Sequence, residues 1–183
     1  MDALVIIPVI IIVVALCILI WWVSTSNNFK RMKIKIEEAL SGIEIALTKR
    51  FDMLTKLLDV ARGFAKHEKE TLSLVIQMRK GMSVNELNQA SAQCDQVMAR
   101  INAVAEAYPE LRSAEMFREL QSGIRDTEAH LQAARRLYNS NVTSYNTAVA
   151  VFPTSIVAGA GGFHKEDFFA ADEMKRADVK MEF

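Results

Sequence analysis

Three histidines, two cysteines and two Tyr-Asn dipeptides are the side chains from which this sequence would have to assemble a reactive site. A di-metal centre inside a helical bundle needs Glu-x-x-His units and further glutamates turned inward. The positions three before His67, His130 and His164 are Phe64, Thr127 and Gly161, so none of them completes such a unit. His67-Glu68 opens the spacing of a zinc protease, but the second histidine would have to stand where the chain has Thr71. No metal is expected. Glycine-rich phosphate cradles open a helix with Gly-x-x-x-x-Gly-Lys or Gly-x-Gly-x-x-Gly. Gly159-Ala-Gly161-Gly162 fits neither and follows a helical pattern instead. Cys94 reads as a small core residue with no activating neighbour on its helical face. Cys17 lies in an apolar run, so a disulfide between the two is not expected. With no nucleophile–base pair, metal set or cofactor motif, the chain reads as a non-enzyme without a cofactor.

Two features rise above this background. Tyr138-Asn139 and Tyr145-Asn146 repeat after seven residues, close to Arg135 and Asn141. They read either as core aromatics beside asparagines that fix helix register, or as a groove lined by Arg135, Tyr138, Asn139, Tyr145 and Asn146. The second feature is the apolar tail, with Phe152, Ile156, Phe163, Phe168 and Phe169. It is a strap folded onto the helices or a contact surface for a partner, another copy or the membrane.

The elements that must position these residues are helices. Apolar residues from Phe29 through Met32, Ile36 and Leu40 to Ala65 recur with a mean step of about 3.6, the period of a nearly straight helix with one buried stripe. Gly63 is its expected break, and a shorter helix is expected over 66–80, closed by Gly81. Ser83-Val-Asn-Glu86 reads as a capping box opening a helix over 83–108, which Pro109 stops. Ser113 is expected to cap a last long helix, 113–152, whose stripe runs from Phe117 through Tyr138 and Tyr145 to Phe152. The expected fold is all-α: an antiparallel up-and-down four-helix bundle with two long outer helices (29–65 and 113–152) and two shorter ones.

Ahead of this lies the segment that fixes where the protein works. Ala3 to Val23 carry no charge, and Trp21 and Trp22 close the run. Twenty-one residues rising about 1.5 Å each cover the ~30 Å hydrocarbon core, and tryptophans favour the headgroup level. A secretory signal would need a basic leading region and a small-residue cleavage site, whereas this run begins Met1-Asp2 and exits on Trp-Trp-Val. A retained single-pass anchor is expected. Domains are then 1–23 (anchor), 24–152 (bundle) and 153–183 (apolar and charged tail). Lys30, Arg31, Lys33 and Lys35 follow the anchor before any acid, which places the domain on the cytoplasmic side and the N-terminus outside. Without the anchor the chain holds 22 basic and 21 acidic residues, so nothing draws it to nucleic acid.

Several segments together resemble the LemA family of bacterial membrane-anchored helical proteins. They include Glu38-Ala-Leu-Ser-Gly-Ile43, Leu47-Thr-Lys-Arg50-Phe-Asp52, Gly63-Phe-Ala-Lys-His67-Glu-Lys-Glu70 and Ala105-Glu-Ala-Tyr-Pro109-Glu-Leu111. Further along stand Phe117-Arg-Glu-Leu120, Thr127-Glu128, Ala134-Arg135-Arg-Leu-Tyr138-Asn139, Tyr145-Asn146 and Phe152-Pro153. The sequence departs from the family pattern at Leu40, usually Trp, and at Thr55-Lys56, usually Pro-Asn, which should leave the first helix straighter. The resemblance implies a four-helix bundle at the bacterial inner membrane and brings no enzymatic activity. The anchor, the long helix and a sequence without catalytic, metal or cofactor motifs suit a scaffold or adaptor that self-associates or holds other membrane proteins, with membrane lipid its first partner. The alternative is a membrane-tethered ligand-sensing bundle with a pocket near Tyr138 and Tyr145.

Overall fold

The computed structural model describes residues 3–64 and 81–169, with side chains from Ile6 onward. They form five α-helices, and the described residues include no strand. The order is α1 (Ala3–Phe64), α2 (Val84–Ala107), α3 (Pro109–Ser113), α4 (Glu115–Ala150) and α5 (Thr154–Gly161). The helix expected over 66–80 and the charged end of the tail lie outside the described residues.

α1 is one helix of 62 residues, continuous through Ser24–Asn28, and Gly63, its expected break, lies within it. Serine, threonine and asparagine each cost a helix only about 0.5 kcal/mol relative to alanine, too little to break a helix propagated from both sides. Pro8, inside α1, is the only proline before Pro109, and the helix continues through Thr55-Lys56. The stripe read from the sequence is buried at Phe29, Ile36, Ile43, Leu47, Leu54, Leu58 and Ala61.

α2 begins as its sequence dictates. Glu86 N–H donates to Ser83 Oγ at 3.3 Å and Ser83 N–H to Glu86 Oε2 at 2.7 Å, the reciprocal capping box. Leu87, Ala90, Cys94, Val97, Ile101 and Val104 form its buried face. Pro109 ends it by starting α3, where a proline at the first helical position costs nothing. The expected cap at Ser113 is corrected: its hydroxyl donates back to Glu110 O at 2.9 Å, the chain turns at Ala114, and α4 starts at Glu115. Phe152 is likewise corrected. α4 ends at Ala150, and Phe152 leaves the buried stripe with 76% of its surface exposed.

The tail holds the unforeseen helix α5, closed by Gly162 in the left-handed conformation at φ 68°, with Phe163 N–H bonded to Ala158 O at 2.9 Å. Residues 163–169 then run without helix or strand. The chain divides into two compact units. One comprises the chain up to Glu38 with Ser140–Asp167, and its core holds Phe29, Ile36, Val142, Tyr145 and Val157. The other comprises Ala39–Asn139 and the residues from Phe168, and its core holds Leu47, Leu54, Leu87, Leu131 and Tyr138.

Candidate functional site

The apolar N-terminal segment has the surface of a helix suited to lipid. Every side chain described from Ile6 to Val23 is exposed, and none carries charge. The helix is long and apolar enough to cross a membrane. In water such a stripe would be an association hazard; in hydrocarbon it satisfies its own backbone and presents only apolar atoms. Beyond it the four basic residues do not behave alike. Lys33 Nζ pairs with Glu166 Oε1 at 2.9 Å and lies 6.0 Å from the centre of the Tyr145 ring. That hydrogen bond with Glu166 raises the Lys33 pKa against the opposing cost of burial. Lys30, Arg31 and Lys35 are exposed.

Tyr145 is fully buried, packed edge-on to Phe29 at 6.0 Å between centroids, while Phe163 stacks on Phe29 at 4.8 Å. Burial raises the tyrosine's pKa, opposed by the nearby Lys33 charge. Its neighbour Asn146 makes a two-way clasp with the tail: Nδ2–H donates to Glu166 O and Oδ1 accepts from Glu166 N–H, both at 2.9 Å. In the other unit Asn139 repeats the arrangement with Phe169, donating to its carbonyl at 3.1 Å and accepting from its N–H at 2.9 Å. An asparagine amide has the donor–acceptor pair of a peptide group, so each clasp satisfies a residue of tail backbone that has no strand partner.

Arg135 donates to Ser91 Oγ and lies over the Phe169 ring at 4.9 Å. Tyr138 is buried, and Phe168 is exposed. The residues singled out for a groove therefore divide. Arg135, Tyr138, Asn139, Phe168 and Phe169 belong to one unit; Tyr145, Asn146, Phe152 and Phe163 to the other. Their asparagines are engaged by tail backbone. A hollow of about 260 Å³, below the usual ligand-pocket range, is lined elsewhere by Asn102, Glu106, Arg112, Phe117 and Gln121.

Sequence reasoning missed a charged cluster. Arg50 is 5% exposed in the core of its unit. Its Nη2 donates to Asp95 Oδ1 on α2 at 2.5 Å, and its Nη1 lies 3.0 Å from Glu128 Oε2 on α4. The second contact is off the hydrogen-bond line and so is chiefly coulombic. Glu128 is held in turn by Gln132, whose Nε2–H donates to Oε1 at 2.7 Å. The signal was available: Arg50 sits three residues after Leu47 and four before Leu54, on the buried stripe itself. Such a cluster joins three helices and offers no open coordination site. Among the described residues, no group of three or more His, Cys, Asp or Glu is placed to hold a metal ion. Cys94 lies beside the cluster, and burial pushes its thiol up to about 11.

Among the described residues the chain is all-helical, and its long, exposed apolar N-terminal helix is of the kind found in membrane-associated helical proteins. The model of the LemA family matches residues 39–183, and the chain belongs to that family. It is similar to Protein LemA of Metamycoplasma hominis, 29% identical over 163 residues, covering 86% of this chain and 74% of that protein. It is also similar to Magnetosome protein MamQ of Magnetospirillum gryphiswaldense, 26% identical over 72 residues, which is 39% of this chain and 26% of MamQ. Magnetosome protein MamQ 2 of Paramagnetospirillum magneticum is 25% identical over the same length. The names of the family and of Protein LemA state no reaction.

Proposed function

We propose that the protein is a single-pass, membrane-anchored helical scaffold or adaptor without enzymatic activity, which associates with copies of itself or holds partner proteins at the bacterial inner membrane. One observation carries the reading: a lipid-compatible run continues without a break into an amphipathic, charged stretch of the same 62-residue helix. Such continuity suits a protein that projects surfaces from the bilayer. In this reading the anchor is residues 3–23, the helical region after it is a four-helix bundle, and the domain after the anchor is cytoplasmic. The exposed apolar residues Met116, Leu137 and Phe168 support a partner-holding role, because a monomer in water gains by covering them.

A ligand-sensing pocket at Tyr138 and Tyr145 has less in its support, since both rings are buried and the adjacent asparagines are bonded to tail backbone. The deciding experiment is chemical crosslinking and proximity labelling of the full chain in intact membranes. Discrete crosslinked oligomers or a reproducible set of labelled membrane proteins is the expected result. A protein that stays strictly monomeric and labels only its random surroundings is not a scaffold.

A further inference from the structure

The turn that joins α4 to α5 has a composition and a position that belong together. From Leu137 to Phe163 the chain carries no charged side chain. Within that stretch Val151, Phe152 and Ile156 present 52%, 76% and 54% of their surfaces, the apolar tip of the turn. Two contacts fix its height against α1. Tyr145 packs on Phe29, and Asn141 Nδ2–H donates to Lys35 O at 3.0 Å, so α4 runs antiparallel to α1 here. Val151 N–H still bonds to Thr147 O at 3.0 Å, carrying the helical rise to the tip. Counting onward from either contact at ~1.5 Å per residue puts Phe152 level with Trp22 to Ser24. That is where the apolar run of α1 ends and where amphipathic rings meet the headgroups.

We propose that the turn Val151–Ile156 is a second membrane contact, seated in the interface of the leaflet from which α1 emerges. The occupant of this exposed apolar tip is lipid because the tip is continuous in height with the spanning segment. On α1 the facing stretch, Ser24 to Phe29, is also uncharged, and the first cations begin at Lys30, about 10 Å beyond Val23. That distance is the depth of a headgroup layer or slightly more, so the charges stand at its outer edge while the turn lies within it. The backbone is prepared for a place short of water. Where α4 stops, the Thr154 hydroxyl reaches Ala148 O at 2.6 Å, and it also lies 2.9 Å from Val151 O, which accepts from Ser155 N–H at 2.9 Å. After α5 the chain turns away at once: Gly162 adopts its left-handed conformation and Phe163 folds back onto Phe29. A Cβ on Gly161 would meet the Phe163 ring at 2.7 Å, which is why small residues stand there.

The inference rests on α1 spanning the bilayer, and the test separates the two. In a Cys17→Ala background, Leu19→Cys, Phe152→Cys, Ile156→Cys and Ile34→Cys would each carry an environment-sensitive fluorophore in the full-length protein. All four native side chains are exposed, so labelling leaves the core untouched. The protein is reconstituted in phosphatidylcholine vesicles with about one quarter phosphatidylglycerol and quenched by a nitroxide near the head of the acyl chain or by aqueous iodide. Labels at Leu19, Phe152 and Ile156 should lose at least about twofold more signal to the lipid nitroxide than the label at Ile34, which should respond to iodide. If Phe152 and Ile156 follow Ile34 while Leu19 is quenched by lipid, the anchor stands and the second contact is wrong. If they are shielded from both quenchers, protein covers the turn and the proposal is again wrong. Should Leu19 itself answer only to iodide, the spanning segment fails and this contact fails with it.

Discussion

Arg50 shows how a single residue can be invisible in a stripe and still hold it together. Its guanidinium is buried, but Asp95 and Glu128 keep about a third of their side-chain surface in solvent. Breaking a buried pair by removing one partner costs about 3–5 kcal/mol because a charge is stranded. Here the stranded acids are partly hydrated, so Arg50→Met should cost about 2–3 kcal/mol, or a fall in Tm of about 5–10 °C. Adding Glu128→Gln should recover part of the loss, because it removes one of the two unbalanced charges. Unfolding of the detergent-solubilised chain by circular dichroism measures both, and equal stability of wild type and Arg50→Met would remove the cluster from the list of structural supports. Cys94, its neighbour, was legible as a core residue, and its chemistry follows. Burial carries the thiol from its ordinary 9.0 to about 11. The folded chain keeps that proton when the unfolded chain has lost it, so the stability this thiol contributes is full below pH 9 and declines as pH rises through 11. In a Cys17→Ala background a thiol reagent at pH 8 should leave Cys94 unmodified until denaturant is added. Prompt labelling of the native protein would show that the site is open.

Among the elements, those with strong local signals were readable and those decided by contacts were not. The capping box at Ser83 and Glu86 and the stop at Pro109 depend on near neighbours, and both stand where the sequence put them. Phe152 was assigned to the stripe because period alone carries α4 onward, yet α4 ends at Ala150, short of it. α5 went unread because its glycines resemble a loop and its closure depends on Phe163 meeting Phe29, a contact over 134 positions in the chain. The asparagines were legible as polar residues that either set register or line a groove, and their partner is tail backbone, which has no sequence signature. This makes the tail's attachment testable. Asn146→Ala deletes two hydrogen bonds, about 1 kcal/mol each net, and leaves the N–H and C=O of Glu166 without these partners. Lys33→Ala removes an ion pair whose side chains are 43% and 36% exposed, worth at most about 1 kcal/mol and screened by salt. Amide exchange at Glu166 should therefore accelerate about tenfold or more in Asn146→Ala and far less in Lys33→Ala. The Lys33 contribution has its own pH sign: with its pKa raised in the fold, it persists below the ordinary lysine range and is lost as pH climbs above it. Equal exchange rates in the two variants would mean that the amide clasp holds the tail no more firmly than the ion pair does.

At the scale of the whole molecule, the plain sequence carried class, family and an apolar helix long enough to cross a membrane, because each is written in composition or in residues spread over the full length. It could not carry which basic side chains are free to meet lipid. Lys30, Arg31, Lys33 and Lys35 look equivalent as a string, but Lys33 is committed to Glu166. A test of orientation that neutralises all four would disturb a fold contact together with the topology signal. Lys30→Gln, Arg31→Gln and Lys35→Gln together spare it. Each charge favours the cytoplasmic face by about 1 kcal/mol where anionic lipid lies near, so the triple variant gives up about 3 kcal/mol of bias. Long domains cross largely without regard to flanking charge, so the expected change is a mixed population and not full inversion. In the unaltered chain, protease added to intact cells or right-side-out vesicles should leave the region after Val23 whole; in the triple variant a measurable fraction should be digested. Digestion of the unaltered domain while a cytoplasmic marker survives would place it outside, and the set of candidate partners would move to the other side of the membrane with it.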